Sequence, residues 1–217
     1  EPSRNFRRLD PGKKVEISGM VEDFSDMVNL DNSVRIFRAL HILARKCELK
    51  ISEVFLSYLQ TERIASQEDP GFMLELAHYE WVELALDISN LEMPANSAPQ
   101  GNMIDNIPQI SPTAWRFNFR YPVHKIAPQY QPTAEQAEPV ALIVYRNRDL
   151  QIGFMESNPI TLRLLDIIQS QQCSGRQAIA QLAKEINHPQ PESLVEFGAH
   201  ILSKLYSSEI ISGFHPN

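Results

Sequence analysis

Apolar and polar positions between Pro70 and Ile88 repeat with the period of an α-helix. Wound as a helix, the stretch places Leu74, Ala77, Trp81, Leu84, Ala85 and Ile88 on one face. Phe72, Tyr79, Val82 and Leu86 form a second apolar arc. Pro70-Gly71 punctuates the start, where proline is tolerated because the first helical N–H has no partner to lose. A helix that is apolar on two sides is buried on two sides. The spacing therefore predicts the central helix of a helical N-terminal domain.

Upstream, Val34, Phe37, His41 and Ala44 share one side of a helix that also carries Arg35, Arg38, Arg45 and Lys46. Ser52 fits the N-cap of a further helix over Glu53–Gln60. Downstream the composition changes. Residues 92–113 hold Pro94, Pro99, Pro108 and Pro112 among Asn, Ser, Gln and Gly, and read as a proline-stiffened linker. Trp115–Val123 then alternates, with Trp115, Phe117, Phe119 and Tyr121 on one face and Arg116, Asn118 and Arg120 on the other, the period of a strand. Val140–Tyr145 and Leu150–Met155 flank the polar run Arg146-Asn147-Arg148-Asp149 and predict a hairpin.

Helical signals follow. Asn158-Pro159 and Ser174-Gly175 each open a helix, and a third begins at Glu192 with Leu194, Phe197, Ile201, Leu202 and Leu205 facing inward. Glu209–Phe214 predicts a closing strand. The fold class expected is α+β. An all-helical N-terminal domain (1–91) and the linker (92–113) precede a C-terminal domain (114–217) of a small antiparallel sheet and three helices, winged-helix-like in layout.

Charge refines this picture. Residues 1–68 balance eleven basic against eleven acidic side chains. The next stretch, 69–92, has six acids and no Lys or Arg, which nearly accounts for the net charge of −7. Such a balance argues against sequence-independent affinity for polyanions and leaves only local basic faces for that role. No apolar run approaches the ~20 residues of a membrane-spanning helix. Cys47 and Cys173, far apart in sequence, read as reduced thiols, and the protein is expected to be cytoplasmic.

The sequence offers no nucleophile elbow, phosphate-binding loop or dinucleotide fingerprint, so no catalytic residue is assigned. Glu75 with His78, and Glu185 with His188, have the E-x-x-H spacing of helical di-metal sites. Those sites need further inward carboxylates in the same bundle. The two matches fall in different predicted domains and the second abuts Pro189, so neither a metal nor a cofactor is expected. Glu80, Glu83 and Asp87 form an acidic stripe, either a docking face for a cationic partner or a seam paired with the basic helix. The aromatic strand face could stack bases, but packing within its own domain explains it more simply. Arg176 and Lys184, with Gln177 and Gln181, are the polar side chains that a helix-turn-helix in the last third would offer to DNA.

The segments Phe72–Asp87 and Ile51–Gln60, with Tyr121-Pro122-Val123 and the C-terminal helices, resemble a bacterial family whose N-terminal half is catalogued as a DNA-binding domain. One neisserial member of that family is described as a transcriptional regulator. The resemblance implies a helical N-terminal domain, a second α+β domain and no known catalysis. Related proteins act as partner subunits beside iron enzymes that modify copper-binding ribosomal peptides. Two expectations result. In the first, the protein regulates transcription by contacting DNA through Arg35, Arg38, Arg45 and Lys46, and through Arg176 and Lys184. In the second, it is an accessory subunit that binds an iron-dependent peptide-modifying enzyme and its precursor peptide, taking an extended segment by strand addition.

Overall fold

The computed structural model describes residues 69–190 and 193–216. The basic helix carrying Arg35, Arg38, Arg45 and Lys46, most of the expected helical domain, and Cys47 lie outside these residues. The chain divides into two compact units, Glu1–Ala85 with Phe119–Glu138, and Leu86–Asn118 with Pro139–Asn217.

In the first unit, helix α1 (Met73–Asp87) begins one turn after Pro70, whose carbonyl accepts the Met73 N–H. Leu76, Ala77, Val82, Leu84 and Ala85 are buried, and Leu74 and Trp81 are half-buried. Burial on more than one side is what the double apolar arc predicted. The returning segment packs aromatic side chains on the helix. The Phe119 ring meets His78 and Tyr79 edge-on, with centroids 5.8 and 6.2 Å away, and Tyr121 meets Phe72 at 6.3 Å. The expected strand through Val123 stops earlier, at Phe119. Pro122 has no N–H for a sheet ladder, and a 3-10 turn over Val123–Lys125 follows it.

Among its described residues the second unit holds a two-stranded sheet, a three-stranded sheet and three helices, so its α+β class stands. Strands β2 (Ala114–Phe119), β3 (Val140–Arg146) and β4 (Ile152–Ser157) pair in the order β2-β3-β4. Strands β1 (Ile107–Ile110) and β5 (Ile211–His215) form a separate pair. Stretch 92–113, expected to be a linker, thus supplies a 3-10 turn (Met103–Asp105) and a strand of its own. Proline is compatible with β1 because the pairing is two-stranded, so a residue without an N–H interrupts no central ladder. The register shifts between Gln109 and Ile110, and Ser212 fills the irregularity by donating its Oγ hydrogen bond to the Gln109 carbonyl.

Helix α2 (Pro159–Gln171) starts where the sequence places it, with the Asn158 side chain accepting the Thr161 N–H and proline in the first turn. It ends at Gln172, in the left-handed conformation. Two residues later Ser174 and Gln177 close a reciprocal capping box on α3 (Gly175–Glu185). Helix α4 (Ser193–Ser207) completes the layer. Ile143, Leu164, Leu165, Ile167, Ile168, Ile179, Leu202 and Leu205 are the centre of the core, each at most 2% exposed. Phe197, expected inside, is instead 52% exposed. Gly198 occupies the inward position beside it, and only a residue lacking a side chain fits against Ile179 there.

Candidate functional site

The β3–β4 hairpin and its anchors are the most heavily constrained part of the second unit. Asn147 shapes the turn. Its N–H donates to the Gln151 carbonyl, its carbonyl accepts from Leu150, and its side-chain oxygen accepts the Gln151 N–H at 2.8 Å. Leu150 takes a positive φ of 59°. Two arginines from the run read as a plain polar turn fix the hairpin in place. Arg146, only 7% exposed, is the last residue of β3. Its guanidinium donates to the carbonyls of Leu86, Asp87 and Ser89 at 2.7–3.1 Å, and also to that of Leu91. These are carbonyls at and just beyond the end of α1, where a helix leaves acceptors without donors. Arg148 pairs with Glu209 at 3.1 Å and donates to the carbonyls of Pro94 and Ser212. The turn is therefore tied both to the segment before β1 and to β5.

Strand β4 has β3 on one side and is the last strand of its sheet among the described residues, and Phe154 and Glu156 along it make further interactions. On the helical side, Arg116 of β2 reaches Asp166 and Gln169 of α2, so that strand edge is crossed by a side-chain bridge.

The candidate DNA-contacting residues of this unit are placed differently from one another. Arg176, in the first turn of α3, donates to Asp105 at 2.7 Å, and this hydrogen bond holds the Asp105 carboxyl below its usual range. Part of its charge is thus already compensated. Lys184 is exposed in the last turn. Helices α2 and α3 are joined by three residues, as in a helix-turn-helix, yet Arg163 of α2 is paired with Glu185 of α3 at 2.7 Å. That contact, with help from Gln181, draws the Glu185 carboxyl down to about 2.

Of the acidic stripe, Glu80, Glu83 and Asp87 are all half-buried on α1. Burial, assisted by the negative charge of Glu83, pushes the Glu80 carboxyl up to about 7. Glu80 is thus only partly ionised at neutral pH. Burial also raises the Tyr79 phenol and lowers the His78 imidazole, the latter opposed by Glu75.

The two E-x-x-H pairs are engaged elsewhere. Glu75 accepts hydrogen bonds from Arg120 Nε at 3.0 Å and from the Tyr121 N–H at 2.9 Å. Glu185 holds Arg163, and the His188 ring bonds the backbone at Gln190. Among the described residues, no three His, Cys, Asp or Glu side chains converge as a metal site. No helix there is long and apolar enough to cross a membrane. Cys173 is half-buried, which raises its thiol above the usual range.

Sequence reasoning missed Arg146 and strand β1. A search of curated proteins finds no match to the chain. Residues 111–206, which cover β2 to nearly the end of α4, match the family model described as the HvfC C-terminal domain.

Proposed function

We propose that this protein is a non-catalytic accessory subunit that binds an iron-dependent peptide-modifying enzyme and its precursor peptide. The observation that carries this reading is the match of residues 111–206 to the HvfC C-terminal domain. It agrees with the sequence resemblance to partner subunits of peptide-modifying enzymes. The hairpin supports it in physical terms. Its turn is held by Arg146 and Arg148, so the scaffold can present a surface to a partner without having to move. In this reading the enzyme supplies the iron and the chemistry, and the accessory chain supplies placement.

Transcriptional regulation, the other expectation, draws no support from the family match. On α3 its two candidate contacts are Arg176, which Asp105 already engages, and Lys184. A DNA-reading helix relies on several cations and amides aimed at one groove.

Affinity capture of the tagged full chain from its native host separates the two. The accessory reading expects an iron-containing enzyme at near-equal stoichiometry, together with a short ribosomal peptide. Recovery of specific DNA fragments with no such enzyme would overturn it.

A further inference from the structure

We propose that residues 94–98 form a strap that lifts off the outer edge of strand β5 while β5 stays paired with β1. The chain thereby keeps a strand edge covered until the strap opens. This device does not depend on the accessory reading.

Strand β5 has β1 on one side, with Gly213 opposite Gln109 and His215 opposite Ile107. Phe214, between them, faces Pro108, which has no N–H to give. The N–H groups of an antiparallel strand alternate between its two sides, and that of Phe214 points away from β1. It donates to Ser97, to the carbonyl at 2.9 Å and to Oγ at 3.0 Å. Gly213 permits this close approach, since a Cβ there would lie 2.8 Å from the Ser97 nitrogen and closer still to its Oγ.

The ends of the strap are fixed and its middle is not buried. Before it, the Leu91 carbonyl is held by Arg146, a residue 7% exposed. After it, the buried Asn106 side chain accepts the Gln100 N–H at 3.2 Å and donates to the Gln100 carbonyl at 2.9 Å. Between these anchors Pro94 and Ser97 are half-buried, and Ala95, Asn96 and Ala98 are exposed. Polar ties hold the segment down. Arg148 donates to the Pro94 carbonyl at 2.8 Å, the Tyr206 hydroxyl of α4 to Asn96 Oδ1 at 2.9 Å, and Phe214 to Ser97. Beneath it, Ile211, Ser212 and Phe214 of β5 are at most 2% exposed. A segment held by a few surface hydrogen bonds opens locally, at a cost far below that of unfolding the core it covers. Lifting leaves both anchors in place and uncovers the Phe214 N–H, the kind of group through which an edge strand pairs with another chain. The contact is autoinhibitory in that sense: while Ser97 occupies the edge, no other strand can.

Residue-resolved amide hydrogen exchange of the full chain tests this. The Phe214 amide should exchange at least about tenfold faster than those of Gly213 and His215, at a rate that dilute urea leaves unchanged. Tyr206→Phe keeps the ring that meets Phe214 edge-on at 5.1 Å and removes only the bond to Asn96. It should speed Phe214 exchange by up to about tenfold and leave Gly213 where it was. Exchange of Phe214 in step with Gly213, with the same urea dependence, would mean that strap and sheet open together and overturns the proposal. A Phe214 rate that Tyr206→Phe does not move overturns it as well.

Discussion

Arg146 donates a 2.7 Å hydrogen bond to the carbonyl oxygen of Leu86, sixty positions away in the chain. With its bonds to Asp87, Ser89 and Leu91 it joins the carbonyls at and beyond the end of α1, of which that of Leu86 also accepts the Ser89 N–H at 3.3 Å. Replacing it with methionine would remove these four bonds from buried and part-buried carbonyls, at a cost of about 3 kcal/mol. Lysine should recover only part of this, because one ammonium cannot match the planar fork. Urea unfolding of the full chain measures both variants.

Glu80 makes stability depend on pH. Its folded carboxyl is raised to about 7 from an ordinary value of 4.5, so the native state binds more protons than the unfolded state between those values. The contribution is fully present below about pH 4.5 and is lost as pH rises through about 7. Glu80→Gln should therefore be more stable than the wild type at about pH 8, by on the order of 2 kcal/mol, and similar to it at about pH 4. Thermal melts across that range read the difference directly.

Glu185 behaves in the opposite sense. Its hydrogen bonds to Arg163 and Gln181 hold the carboxyl at about 2, so its contribution is present above the ordinary carboxylate value and is lost only as pH falls through about 2. Carbon-detected NMR titration should find Glu185 ionised well below the other glutamates. Arg163→Ala should return it towards the common range. The pair is exposed, and breaking it should barely move the unfolding midpoint at neutral pH.

Gly198 reverses the usual helix rule. Alanine is favoured over glycine in a helix by about 1 kcal/mol. A Cβ here, however, would fall 2.7 Å from Ile179 Cγ1 and closer still to Cδ1. Gly198→Ala should destabilise the chain by about 1–3 kcal/mol through overpacking. Adding Ile179→Val, which removes the Cδ1 methyl, should recover part of the loss in the same unfolding assay.

These examples also show which parts of the molecule could be read from local sequence. The openings of α2 and α3 were legible because Asn158-Pro159 and Ser174 with Gln177 are caps whose partners lie within three residues. The hairpin was legible from alternation, although its turn begins one residue later than the polar run suggests. Strand β1 was not legible. Ile107–Ile110 is four residues with a proline, and its partner β5 comes near the end of the chain. Arg146 and Arg148 were hidden for a similar reason. Both sit in a polar run, and their acceptors come from segments far off in sequence. At the candidate site, charge alone nominated Arg176, but its pairing with Asp105 depends on the 3-10 turn within the supposed linker.

The most direct test of the accessory role is turnover of the precursor peptide by the iron enzyme that co-purifies with this chain, measured with and without the chain. The account predicts that the enzyme alone modifies the peptide slowly or not at all, and that adding the full chain at equal stoichiometry restores the rate, chiefly through a lower KM. An enzyme that works equally well without this protein would contradict it.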